Sequence, residues 1–264
     1  NSLPENAEYL YDPYFNNCAT KLRDIAKEIL GNKIQFPSSF SDENFTLRQL
    51  MNQELPWNTW GSFGINLALG NTLDKEIIAD NYMYLPDYVH KGFQKATITE
   101  NKITTPLVLE ESQLLRYPEK QIKIQWYNPF FVFSLLLLIT IVVTFRDQKR
   151  NIRSKWLDFT LFFVTGVLGI IICFLWFFTD HYTAPNNFNL LWAFVLNFFV
   201  AFTLLKNSIP SWISNYLLFY LFLLFGAIVT SFIGLQQFSN TVFPIIAMLF
   251  LRTFYIYRLL TFKK

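Results

Sequence analysis

Cysteine and histidine are almost missing from this chain, which has two of each in 264 residues. So few cysteines exclude a disulfide framework, and the two cannot pair, because Cys173 lies deep in a hydrophobic run. Cys18 is therefore a lone thiol, and in an oxidising compartment a lone thiol needs explaining. No cysteine pairs stand ready for zinc, and there is no HExxH, GxSxG or phosphate-binding loop, so neither metal nor cofactor is expected. Acidic residues are scarce in one half only. Residues 1–125 hold 16 of the 19 acids and 12 of the 22 bases, while the remainder has only Asp147, Asp158 and Asp180 as acids. The net charge of +3 comes from that second half and reports membrane topology, not nucleic-acid binding. Repeats, low-complexity tracts and a signal peptide are also lacking. The chain starts at Asn1, without Met, on residues already polar and extended. This reads as a protein whose N-terminal part is missing.

What is present divides at about residue 125 into a polar domain and a membrane domain, 1–125 and 126–264. In the polar domain, Tyr9 to Phe15 reads as an extended segment broken by Asp12-Pro13. Asn16 or Asn17 is a suitable N-cap, and Leu22, Ile25, Ala26, Ile29 and Leu30 then fall on one helical face until Gly31-Asn32 stops it. Cys18 thus sits in the first turn, where free backbone N–H groups and the positive end of the helix dipole favour a thiolate. A small buried cysteine is the plainer alternative. Short strands are expected at Lys33–Phe36 and Ile103–Leu109, and helices at Thr46–Leu50, toward Gly70, and from Pro86. The domain is α+β. His90, on the helix that Pro86 opens, is the only histidine of this half and the obvious base for Cys18, although a lone histidine on such a helix is more often a surface group.

The second half contains five apolar runs, near 129–145, 157–178, 188–205, 212–234 and 241–259, each about long enough to cross roughly 30 Å of hydrocarbon. The loop from Arg146 to Lys155 has five bases and one acid, and Lys206 and Lys263-Lys264 mark two further positive segments. Positive-inside bias puts these in the cytoplasm and the polar domain outside. Trp126, Tyr127, Trp156, Trp192 and Trp212 fall near the expected interfaces, as an aromatic belt would. Asn197 should face other helices, water or substrate, and Arg252 can snorkel to the nearby cytoplasmic surface. The loop Thr179–Asn189, with Asp180 and His181, is polar and lies on the same side as Cys18.

The stretch Tyr9-Leu10-Tyr11 through Asn17-Cys18-Ala19-Thr20-Lys21-Leu22-Arg23-Asp24 resembles the Lnb N-terminal periplasmic domain family. Pro56-Trp57, Gly64 to Gly70, Leu73-Asp74 and Met83 to Tyr88 are similar to later blocks of it, in order. The membrane half is similar to the five-helix domain that accompanies it in Bacteroidota, including Asp180-His181 and Asn187-Phe188-Asn189-Leu190-Leu191-Trp192. The resemblance implies a permuted NlpC/P60 (papain-like) fold followed by an all-α five-helix membrane domain. It also implies a lipoprotein N-acyltransferase of the bacterial inner membrane, with the polar domain periplasmic and the C-terminus cytoplasmic. Cys18 would be the nucleophile and Asn17, Arg23 and Asp24 candidate supporting groups, with the catalytic histidine upstream of Asn1. His181, Asn187 and Trp192 would line a groove for acyl chains. A phospholipid would donate the acyl chain through a Cys18 thioester, and a lipoprotein N-terminus would accept it. Ala19 stands where the family often has Thr. Two other classes use the same residues: a membrane-anchored Cys peptidase or amidase of the NlpC/P60 type, and a non-enzymatic membrane sensor.

Overall fold

Asn17 starts the first helix by a reciprocal cap. Its side-chain oxygen accepts from the N–H groups of Ala19 and Thr20, both at 2.9 Å, and the Thr20 hydroxyl accepts from the Asn17 N–H at 2.9 Å. This box satisfies the first orphan donors of α1 (Cys18–Leu30). Gly31 ends the helix at φ 56°, in the half of conformational space that side chains avoid. The computed structural model describes residues 8–41, 44–116 and 125–262. The positive tail Lys263-Lys264 and the residues before Glu8 lie outside them. After α1 come β1 (Ile34–Gln35), α2 (Leu47–Glu54), α3 (Trp60–Ala68), α4 (Ala79–Tyr82), α5 (Pro86–Lys95), β2 (Thr97–Glu100) and β3 (Ile103–Pro106).

The chain forms two units, Asn1–Met51 with Lys75–Gln121, and Asn52–Asp74 with Ile122–Lys264. A segment drawn in the sequence as part of the polar domain, 52–74, thus groups with the membrane helices. In the first unit the sheet has order β1-β2-β3, antiparallel throughout, with Ile34 opposite Ile98 and Ile98 opposite Thr105. Asn101 and Lys102, at φ 50° and 67°, make the tight β2–β3 turn that needs two left-handed residues. One expectation changes here. The last strand ends at Pro106, and after one further bond, from the Leu107 N–H to the Ala96 carbonyl at 2.9 Å, the chain leaves the ladder, so Val108-Leu109 lies beyond it. At Tyr9–Phe15 the break expected at Asp12-Pro13 is a turn, in which the Asp12 carboxylate accepts from the N–H groups of Tyr14 and Phe15 at 2.8 and 2.9 Å. A small core of Ala19, Met83 and Val89, ringed by Phe36, Phe40, Tyr88 and Phe93, fixes α1 against α5.

The second unit holds α6 (Pro129–Arg150), α7 (Lys155–Phe177), α8 (Asn197–Leu204), α9 (Trp212–Phe232) and α10 (Val242–Thr261). Four of these, α6, α7, α9 and α10, are long and apolar enough to cross a membrane. The chain is accordingly a multi-pass membrane protein. The run expected at 188–205 is not one helix. It is a 3₁₀ turn at Phe188–Leu191, an irregular stretch, and the eight-residue α8. It lies antiparallel along α7, so close that a Cβ on Gly169 would stand 2.1 Å from the Ala193 carbonyl oxygen, and one on Gly166 2.1 Å from the Phe198 nitrogen. Irregular backbone survives at membrane depth only inside protein. Trp192 and Ala193, at the break, are fully enclosed, and the Tyr220 hydroxyl donates to the Trp192 carbonyl at 2.5 Å. Trp192 is therefore not an interfacial belt residue, unlike the half-exposed Trp156 and Trp212. Asn197 meets other helices as expected, donating to the Thr165 hydroxyl at 3.1 Å and accepting from the Tyr216 hydroxyl at 2.5 Å.

Arg252 does not snorkel. It is completely buried and donates to Asp158 on α7 at 2.5 Å through Nε and to Asp147 on α6 at 2.8 Å through Nη2. Asp147 also accepts from the Ser154 N–H at 2.7 Å and the Ser154 hydroxyl at 2.8 Å, and Asp158 from Arg153 at 2.8 Å. Three helices are thereby tied at one end. Removing one partner leaves a buried charge uncompensated. Arg252→Met should accordingly destabilise the helical unit by about 3–5 kcal/mol, read as a lowered unfolding midpoint in detergent. Lys149→Met, on the exposed side of α6, should leave that midpoint unchanged.

Candidate functional site

Cys18 is a free, exposed thiol at the first position of α1. The loop that delivers it is anchored from below. Asn17 Nδ2 donates to the carbonyls of Pro13 and Tyr84 at 2.8 and 3.0 Å, and the Tyr14 hydroxyl donates to Met51 Sδ at 3.0 Å. Tyr14 and Tyr84 pack with ring centroids 5.1 Å apart. Burial pushes the Tyr14 phenol from its ordinary 10.0 up to about 12. The cap consumes the Ala19 and Thr20 N–H groups, and among the described residues nothing accepts from the N–H of Cys18 itself. That one amide is what the helix start offers to a developing oxyanion.

The apolar face of α1 is open. Leu22, Ile25 and Ile29, which follow Cys18 at four, seven and eleven residues, are 57%, 49% and 75% exposed. The thiol therefore heads an apolar stripe one helix long, with exposed Tyr11 and Phe15 in the preceding loop. Arg23 and Asp24 are engaged elsewhere: Arg23 donates to Asp24 at 2.8 Å and to the Asp80 carbonyl at 2.5 Å. They and Lys27, which pairs with the Asp80 carboxylate, tie α1 to α4. His90 is exposed and paired through Nε2 with Glu111 at 2.9 Å, while Gln94 holds the other oxygen of Glu111 at 3.1 Å. This is a surface clamp on α5. Among the described residues no group of three His, Cys, Asp or Glu side chains is placed to hold a metal ion.

In the second unit the polar loop after α7 closes on α3. A helix ends with carbonyls that lack intrahelical partners. For α3 they are met by side-chain amides: Asn187 Nδ2 donates to Leu67 O at 2.8 Å, Asn189 Nδ2 to Asn66 O at 3.3 Å, and Gln236 Nε2 to Leu69 O at 3.4 Å. The amides also hold one another, since Asn187 Oδ1 accepts from Asn189 and Gln236 at 2.9 and 3.3 Å, and Asn189 Oδ1 accepts from the Trp192 indole at 2.9 Å. Backbone joins in through Gly70 N–H to Thr183 O at 2.8 Å. The approach is so tight that a Cβ on Gly70 would stand 1.9 Å from Pro185 O. Of the expected groove residues, only His181 is exposed, its Nδ1 at 2.9 Å from the Thr179 hydroxyl; Asn187 and Trp192 are enclosed and work as struts. Asn189 and Gln236 went unassigned in the sequence. Their signal was weak, since polar amides beside apolar runs usually face water.

Residues 120–264 match a family model described as the Lnb transmembrane domain. Neither a curated protein nor a solved structure matches the chain.

Replacing Asn187 by Leu leaves the Leu67 carbonyl with only the longer 3.3 Å bond from Asn189 and takes away the oxygen that accepts from Asn189 and Gln236. The cost should be about 1–3 kcal/mol, seen as faster hydrogen exchange at Leu69 to Leu73, with Asn187→Asp failing to rescue because it brings no donor. For Tyr14, the folded state keeps its proton to higher pH than the unfolded chain. The stability it lends is therefore complete below pH 10.0 and lost as pH rises toward about 12. Phenolate absorbance should include an ionisation step near pH 12, and Tyr14→Phe should remove that step.

Proposed function

The chain belongs to the family of the Lnb transmembrane domain, and from that premise we propose that it is a lipoprotein N-acyltransferase of the bacterial inner membrane. The observation that carries the reading is an exposed thiol, capped into a helix start, at the head of an exposed apolar stripe. Such a surface suits a lipid substrate better than a soluble peptide. The first unit belongs in the periplasm and the C-terminus in the cytoplasm, as the positive loops require. In support, Arg153 Nη2 donates to the Lys206 carbonyl at 3.4 Å, so two of the positive segments share one end of the unit.

In this mechanism the Cys18 thiolate attacks the ester carbonyl of a phospholipid. A carbon–sulfur bond forms, the ester carbon–oxygen bond breaks, and the lysophospholipid alkoxide leaves with the proton that the thiol gave up on becoming a thiolate. The Cys18 N–H stabilises the intermediate oxyanion. The α-amine of a lipoprotein N-terminus then attacks the thioester, the amide forms as the carbon–sulfur bond breaks, and the proton lost by the amine passes to the departing sulfur, which restores the Cys18 thiol. Asn17 is a positioning residue through its bonds to Pro13, Tyr84 and the helix start.

Cys18→Ala in the complete protein should leave lipoproteins diacylated, as read by mass spectrometry of their N-terminal peptides. Full N-acylation in that variant would overturn the reaction. A thiol-linked acyl group released by hydroxylamine should appear on the wild type and be missing from Cys18→Ala. Its absence from both would leave the peptidase, amidase and sensor readings standing. His90→Gln should leave N-acylation unchanged, because the residue's role is its pair with Glu111.

A further inference from the structure

The positive end of the helical unit contains a cleft that none of the chemistry above uses. It measures about 340 Å³ and lies between the C-terminal turns of α6 and α10. Gln148, Asn151 and Arg258 form its polar side, while Leu251, Phe254 and Phe262 supply apolar wall. Arg258 is exposed and, among the described residues, its guanidinium has no ion pair. No carboxylate lines the cleft. The two acids at this end, Asp147 and Asp158, are fully buried and committed to Arg252 and Arg153. The cleft is thus a cationic, donor-rich recess whose charge is left for an external anion.

A second recess adjoins it. A groove of about 450 Å³ between α9 and α10 is lined by Phe225, Ile246, Ala247 and Phe250, and it shares Leu251 and Phe254 with the cleft. It is almost purely apolar. Along α10 the joined lining runs from Phe243 to Arg258, about 22 Å of helix. One leaflet of a 30 Å hydrocarbon core supplies about 15 Å. The order is apolar groove, then mixed wall, then guanidinium, which is the order of acyl chain, glycerol and phosphate in a lipid.

We propose that the cleft and the adjoining groove on α10 together bind an anionic glycerophospholipid, its phosphate on Arg258 and Gln148 and one acyl chain in the groove along Phe250. A guanidinium binds phosphate by charge-assisted hydrogen bonds, and basic pockets between helices at the positive side of a membrane protein favour anionic headgroups. A zwitterionic headgroup would bring an amine for which the cleft has no carboxylate. The assignment is independent of the acyl-transfer reading, because none of the residues that line the cleft or the groove takes part in that chemistry.

The test is native mass spectrometry of the full chain in mild detergent, titrated with phosphatidylglycerol and, separately, phosphatidylcholine. The wild type should retain one phosphatidylglycerol and bind phosphatidylcholine more weakly. Arg258→Gln should weaken phosphatidylglycerol binding by about tenfold, the scale of one lost charge-assisted hydrogen bond. Ala247→Trp, which fills the groove, should weaken it comparably, and Lys149→Ala, basic and at the same end but outside the lining, should not. Equal loss in Lys149→Ala and Arg258→Gln would mean diffuse attraction and overturn the site. Unchanged binding in Ala247→Trp would overturn the acyl groove. Competition by millimolar inorganic phosphate would make it a site for a free anion and overturn the lipid assignment. Thermal melting of each variant separates lost binding from lost fold, and Arg258→Lys, which keeps the charge, should recover most of the affinity.

Discussion

A guanidinium with no access to water must be satisfied entirely by protein, and much of the helical unit is arranged around that demand. Arg252 spends its donors on two carboxylates, a hydroxyl and a carbonyl, and these come from α6, α7 and the turn between them. Desolvating a charge of each sign is costly, and the attraction between them offsets that cost only when the geometry is complete. The Ser154 hydroxyl and N–H and the Arg153 guanidinium complete it by filling the remaining lone pairs of Asp147 and Asp158. The same closure withdraws both acids from the surface and leaves the cleft beside Arg258 purely cationic.

At the other end of the unit the organising demand is the reverse, for donors. Helix α3 ends with carbonyls, and three amide side chains from two later segments of the chain meet them. Neutral amides suit this role because each carries both donor and acceptor, so Asn187, Asn189 and Gln236 can satisfy the helix and one another. The result is that a piece of the polar half is built into the membrane unit by backbone recognition, which any residue at those α3 positions would present. The glycine at 70 is needed for a different reason: only the absence of a Cβ allows Pro185 so near.

Local chemistry was legible in the sequence. The limits of α1, its Asn cap, its glycine stop, and Pro86 opening α5 follow from capping and periodicity, and all stand in the structure. Long-range pairing was less so. Hydropathy marks 188–205 as apolar but cannot distinguish a lipid-facing helix from a broken segment sheltered by Tyr220 and α7. It therefore misplaced Trp192 at an interface, when its indole is bound to Asn189 in the core. Arg252 looked peripheral because its depth was judged from distance to a span end. The signal was the pair of lone acids, Asp147 and Asp158, bracketing the first loop at matching depth. At the candidate site, the periodicity of Leu22, Ile25 and Ile29 was legible as a face; that the face lies open was not.

The break near Trp192 bears on how the protein enters the bilayer. Helix α8 has eight residues, too few to cross alone, and its irregular approach carries backbone groups that lipid cannot satisfy. The segment therefore has no stable solitary existence in the membrane. Its backbone is sheltered by α7, at Gly166 and Gly169, and the Trp192 carbonyl is met by the Tyr220 hydroxyl of α9. A segment that leans on the helices before and after it in the chain needs both beside it in the bilayer to hold this form.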